Sequence, residues 1–162
     1  MRIREATEQD WAAIWPFLQR ITAAGDTFTY PTDLDHDSAR DLWMLPPPAR
    51  VVVAEDEDGT VLGTAKSYAN QAGPGSHVAS ASYMVDPDRH GRGVGRALCQ
   101  DTLRWAREQG FHGVQFNAVA ETNVHAVHLY RSLGYEIVGR VPGAFHHPAK
   151  GYVDLLVMYH RF

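Results

Sequence analysis

Between Asp88 and Leu98 the chain reads "DRHGRGVGRAL", with glycines at 91, 93 and 95 and arginines at 89, 92 and 96. Glycine lets the backbone take positive φ and lets a ligand approach main-chain N–H groups closely. Several such groups can then converge on one anion at the electropositive start of a helix. The chemistry open to this stretch is the holding of a phosphate or diphosphate. Two well-known phosphate loops fail on named positions. A Walker loop ends in Gly-Lys-Ser/Thr, whereas Gly95 is followed by Arg96 and Ala97, which argues against a magnesium-dependent NTPase. The dinucleotide pattern Gly-x-Gly-x-x-Gly breaks at Arg96 counted from Gly91 and at Leu98 counted from Gly93. The strand that follows ends at Asn117 and Ala118 with no acidic residue for a ribose.

A second chemical candidate is Tyr130 in "NVHAVHLYRSLGY". Its phenol, with an ordinary pKa of about 10, suits donation of a proton to a leaving group. On spacing alone it is a core aromatic, since Ala126, Leu129 and Leu133 share its helical face. The pairs His125/His128 and His146/His147 raise a metal reading, but no third ligand stands at a clear spacing, so no metal is expected. Cys99 is the only cysteine, which excludes an internal disulfide and favours a reducing, cytoplasmic compartment. Inside a helical stretch it reads as a small buried filler rather than a nucleophile.

The elements that must position these residues follow from periodicity and punctuation. Residues 2–7 form a short strand, and Thr7 with Asp10 caps a helix carrying Trp11, Ile14, Phe17 and Leu18, with Pro16 near its start or kinking it. A loop, "AAGDTFTYPTD", leads to a polar helix containing "SARDLWM". Residues 50–68 read as a hairpin about Asp58-Gly59, and 77–85 as a further strand ending before Pro87. A helix spans Gly93 to Gln109, a strand 113–119, and Asn123 caps a helix that Gly134 ends. Two last strands, 135–141 and 152–162, flank a loop "PGAFHHPAKG". The order implies one domain over residues 1–162, of mixed α/β class with a central sheet. Residues 78–118 should make a parallel strand-helix-strand crossover.

Composition narrows the function. At 162 residues, with 44% hydrophobic and 21% charged, the chain can bury a real core. Its net charge of -4 speaks against a nucleic-acid binder, and no uncharged run approaches a membrane span or a signal core.

"VDPDRHGRGVG" resembles the pyrophosphate loop of the GNAT superfamily of acetyl-CoA-dependent N-acetyltransferases, Gln/Arg-x-x-Gly-x-Gly/Ala after a strand ending Val-x-Pro. Val85, Pro87, Gly93 and Gly95 match, and His90 stands where Gln or Arg is usual. "NVHAVHLYRSLGY" is similar to the family's second signature, matching at Asn123, Ala126, Leu129, Tyr130, Leu133, Gly134 and Tyr135. With the order of elements, the resemblance covers nearly the whole chain. It implies a mostly antiparallel sheet of six to seven strands flanked by about four helices, dimerisation as is common in the superfamily, and acetyl-CoA as co-substrate. Main-chain groups of His90, Gly91, Arg92, Gly93, Val94, Gly95 and Arg96 would meet its diphosphate, and those of Met84 and Val85, with Asn123, its pantetheine arm. Tyr130 would protonate the leaving thiolate.

"PGSHVASASYMVDPDRHGRGVGRAL", "FNAVAETN" and "GRVPGAF" look like the L-azetidine-2-carboxylate acetyltransferase group. In that group two asparagines are associated with an imino-acid carboxylate. The first matches Asn117, and Ser80 replaces the second. The resemblance thus implies a small-molecule amine acceptor, an amino acid, imino acid or related amine, taken by direct transfer. A protein or peptide acetyltransferase and a non-catalytic acyl-CoA-binding module are the alternatives. The strand 77–85 carries no carboxylate for a general base, which leaves His77, Glu121 or a water held by Asn117 and Ser80. Phe28, Tyr30 and Phe145 are expected to wall the acceptor pocket.

Overall fold

A computed structural model describes residues 1–162. Seven strands form one sheet in the order β1-β2-β3-β4-β5-β7-β6, where β1 is Arg2–Glu5, β2 Arg50–Glu55, β3 Val61–Ala69, β4 Ala79–Val85, β5 Gly113–Ala120, β6 Glu136–His147 and β7 Gly151–Arg161. Four helices flank it: α1 (Trp11–Ala24), α2 (His36–Trp43), α3 (Val94–Glu108) and α4 (Val124–Ser132). The mixed α/β class, the element order and the strand and helix numbers expected from the sequence are those observed. No helix is long and apolar enough to cross a membrane.

The strands sort side chains onto two faces because successive residues alternate. On one face Met84, Val51 and Val53 pack with Trp11, Ile14, Phe17, Leu18 and Trp43 of α1 and α2. On the other, Val52, Ala54, Leu62 and Ala65 meet Val94 and Leu98 of α3, while Val114, Phe116 and Met158 meet Cys99 and Ala106. Each large apolar side chain so buried contributes roughly 1.5–3 kcal/mol, and this fixes both helix pairs against the sheet. The one charged residue buried on α3, Asp101, is paired with Arg50 of β2 at 2.5 Å. Thr7 and Asp10 make the expected capping box, followed by a short 3-10 turn into α1, which holds Pro16 inside it.

One expectation is overturned. Residues 142–147 are not a loop but the continuation of β6, and only Pro148–Lys150 turn back into β7. The register with β7 shifts between Val141 and Phe145, and this bulge takes up Pro142 and Gly143. Because β6 is the edge strand of the sheet, a proline without an N–H costs no ladder bond there. Phe145 is consequently a buried core residue.

β4 and β5 are the only parallel neighbours, joined across α3 as expected, and they hold together at one position, Ala79 opposite Val114. Beyond it they part. A second bulge, between Phe116 and Val119 against β7, sets the extra residue of β5 at Asn117–Ala118 on the far side of the gap.

Candidate active site

The parting of β4 and β5 opens a cleft of about 610 Å³ through the middle of the sheet. It is lined by Met84 and Val85 of β4, Phe116, Asn117 and Ala118 of β5, and Asn123, Leu129 and Tyr130 at α4. The edge of β4 that would have paired with β5 turns its free main-chain groups into this space.

At one end stands the glycine loop. Gly91 and Gly93 have φ of 82° and 75°, and a Cβ at either would meet no atom within 4 Å. Glycine is therefore required there by conformation, not by space. From His90 through Arg96 no main-chain N–H finds an acceptor within the chain; the first backbone bond of α3 is Ala97 N–H to Gly93 C=O at 3.0 Å. These orphan donors sit at the positive end of a fifteen-residue helix. Side chains contribute less than the motif suggests. The Arg92 guanidinium donates to Asp56 at 2.7 Å and that of Arg96 to Ser132 at 2.8 Å, while Val94 is buried in the core. His90 and Gly95 line the cleft. An array of backbone donors beside an open cleft fits a diphosphate with an extended arm behind it, as coenzyme A has.

Tyr130 stands midway. Its ring lies 4.5 Å from that of Phe116, which in turn stacks on Tyr135 at 4.5 Å. Burial, then the nearby Cys99, pushes the Tyr130 phenol well above its ordinary pKa, so it keeps its proton at neutral pH. Cys99 is fully buried and burial raises its thiol to about 11, which leaves it protonated and inert. Asn123 lies at the N-cap of α4, where its side chain accepts from Ala126 N–H at 3.4 Å, and it also lines the cleft.

The other end is built from side chains. Phe28 and Tyr30 stack at 5.3 Å, and Tyr30 reaches Ser82 at 3.4 Å between hydroxyl oxygens. Ser80 and Tyr68 face each other across β4 and β3, and all five line the cleft. Asn117 exchanges side-chain hydrogen bonds with Asn70. Phe145 is absent from this wall, for the reason given by β6.

The two side chains considered as bases lie elsewhere. The ring of His77 stands edge-on to His112 at 5.1 Å, and Glu121 is engaged by Arg140 and by Asp154 N–H. Neither lines the cleft, and no Asp or Glu does. No group of three or more His, Cys, Asp or Glu side chains is disposed to hold a metal; His125 faces the cleft and His146 stacks on Tyr152 at 4.6 Å.

Sequence reasoning missed Tyr68, Ser82 and the residue behind them, Lys66. The signal was a lysine inside the otherwise apolar and small run of β3, on the same face as Thr64 and Tyr68.

Residues 11–135 match the model of the Acetyltransferase (GNAT) family. A solved GCN5-related N-acetyltransferase from Kribbella flavida is 53% identical, with a TM-score of 0.97 over 99% of this chain and 97% of that one. The L-amino acid N-acyltransferase MnaT of Escherichia coli is 32% identical over 149 residues, 88% of this chain and 83% of its own. The structure of yncA, a putative acetyltransferase from Salmonella typhimurium with its cofactor acetyl-CoA, is 25% identical with a TM-score of 0.82, over 99% of this chain and 93% of that one. The chain spans only about half the length of other curated relatives it matches, 56% of one and 54% of another.

Proposed function

The chain belongs to the acetyltransferase (GNAT) family, and from that premise we propose that it moves an acetyl group from acetyl-CoA directly to the amine of a small molecule, an amino acid or a close relative. The observation that carries this reading is the run of unpartnered N–H groups from His90 to Arg96 at the mouth of a cleft that also holds Tyr130. The amino-acid class is supported by the likeness to MnaT. The narrower likeness to the azetidine-carboxylate group extends to Asn117 of its two acceptor asparagines and is weakened by Ser80 at the other.

Acetyl-CoA supplies an activated acyl carbonyl on a thiolate leaving group. His90, Gly91, Arg92, Gly93, Val94, Gly95 and Arg96 hold its diphosphate through main-chain donors, reinforced by the α3 dipole. The free edge of β4 at Met84 and Val85 offers main-chain partners to the pantetheine amides, and Asn123 adds its side-chain amide. Tyr130 holds a proton at Oη for the departing sulfur, and its raised pKa keeps that proton in place until it is needed. Ser80 and Asn117 orient the acceptor and a water that takes the amine proton, since no carboxylate lines the cleft.

Calorimetric titration with acetyl-CoA, followed by thiol release over amino acids, imino acids and simple amines, tests the reading. Binding with release for at least one amine is expected, and a protein that does not bind acetyl-CoA overturns it.

A further inference from the structure

Lys66 is the only lysine or arginine among the buried residues, at 6% exposure. Its ammonium donates one hydrogen bond, to Leu42 C=O at 2.8 Å, and otherwise sees aromatic rings: Tyr30 at 5.3 Å, Trp43 at 5.4 Å and Tyr68 at 5.6 Å from the centroids. No carboxylate pairs with it; burial alone acts on its titration, pushing the pKa down to about 8, so that it remains largely charged near neutrality. An unpaired buried charge is costly, and π faces compensate only in part. A fold that keeps one beside its cleft has placed an incompletely compensated positive field there.

The position of that field is specific. Tyr30 and Tyr68, two of the three rings around Nζ, line the cleft, and so does Ser82, the register partner of Lys66 on β4. All of them lie at the end opposite the glycine loop. No aspartate, glutamate, lysine or arginine lines the cleft to oppose or mask the charge. The rings that would otherwise attract an acceptor's cation are already occupied by a cation of the protein itself.

We propose that Lys66 sets the charge preference of the acceptor pocket: acting through Tyr30, Tyr68 and Ser82, it favours acceptors that carry a carboxylate beside the amine and rejects diamines and other polycations. This rests on the reading of the cleft as an acetyl-transfer site. Lys66 touches neither reactant, so it is a specificity-determining residue rather than a catalytic one.

The test compares L-methionine, L-phenylalanine and L-proline with their carboxamides as acceptors, for the wild type, Lys66→Met, Lys66→Gln and Lys66→Arg. The quantity read is the acid-to-amide ratio of kcat/KM, variant against wild type, so that the lower amine pKa of the carboxamides cancels. The ratio should fall about tenfold in Lys66→Met and Lys66→Gln, the size of a unit charge acting over several ångström through a partly shielded interior. The change should enter through KM of the acid, and Lys66→Arg should retain the preference. Equal losses for acid and amide in folded variants, or no loss, would overturn the proposal. Calorimetric binding of the same compounds to the CoA-saturated protein is measured alongside. If no amine is turned over, the transfer reading fails, while preferential acid binding lost in Lys66→Met still supports the charge assignment. Absence of any acid preference in the wild type, by turnover or binding, refutes it.

Discussion

At the glycine loop the recognition groups are main-chain N–H donors from one contiguous stretch; at the opposite end of the same cleft they are side chains gathered from the 25–30 loop, β3, β4 and β5. The first end gets its positive character from a helix dipole and unsatisfied amides, with the Arg92 and Arg96 side chains turned to Asp56 and Ser132. The second gets it from one lysine enclosed by aromatic rings. A backbone site depends on local sterics and tolerates side-chain change so long as φ is kept. A side-chain site depends on register, and each residue in it can be altered singly. The donor end should therefore be common to the family, and the acceptor end particular to this chain.

Tyr130 lies between the two, and its removal should give the largest effect. Tyr130→Phe should lower kcat by about 10²–10⁴, the range of general acid catalysis, and leave acetyl-CoA affinity unchanged by calorimetry. A variant that turns over at the wild-type rate would remove the tyrosine from the chemistry. Next in size is the donor end. Gly93 caps α3 at φ 75°, where a β-branched residue is strained by about 1–3 kcal/mol. The loop is expected to relax and turn its amides away, so Gly93→Val should weaken acetyl-CoA binding roughly ten- to hundredfold through that energy. Circular dichroism should show the helices intact, and unchanged affinity would mean that the amides are not the grip.

The same contrast explains what could be read from the sequence. The glycine loop, Tyr130 and Asn123 were legible because their geometry is dictated within a few residues: positive φ, a helix start, an N-cap. Phe28 and Tyr30 were legible because they share one loop. Lys66, Tyr68 and Ser82 were not, since only the pairing of β3 with β4 puts Lys66 opposite Ser82 and Tyr68 opposite Ser80. Phe145 was misplaced for a related reason. Proline and glycine at 142–143 look like loop residues until the edge position of β6 and its bulge are known.

The acceptor end should also reveal itself as a stability cost. Lys66 faces Tyr30, Trp43, Tyr68 and the Leu42 carbonyl, with no carboxylate among them. Its folded pKa of about 8 lies below the ordinary lysine value of 10.5, so below pH 8 both states hold the proton and the fold bears the whole penalty. As pH rises from 8 toward 10.5 the unfolded state binds the extra proton, and wild-type stability gains. Lys66→Met should accordingly be more stable than wild type by about 1–2 kcal/mol at pH 7, after discounting the lost hydrogen bond and cation-π contacts. That advantage should shrink between pH 8 and 10 in denaturant titrations. A lead that is constant with pH would mean that packing, not charge, is responsible.

Asn117 gives the smallest and sharpest contrast. In the free protein its Nδ2 already donates to Asn70 Oδ1 at 2.6 Å and its Oδ1 accepts from Gln115 Nε2 at 2.9 Å. An acceptor that bonds to Asn117 exchanges one partner for another, so the net worth of the contact falls at the lower part of the usual 0.5–1.5 kcal/mol, about two- to fivefold in acceptor KM for Asn117→Ala. Asn70→Ala separates recognition from bracing. If Asn117 binds the acceptor, losing Asn70 frees its donor, and KM should stay level or fall while Asn117→Ala raises it. If both variants raise KM alike, the amide pair is only a strut between the 70s loop and the β5 bulge, and recognition at this end rests with Ser80, Ser82 and the field of Lys66.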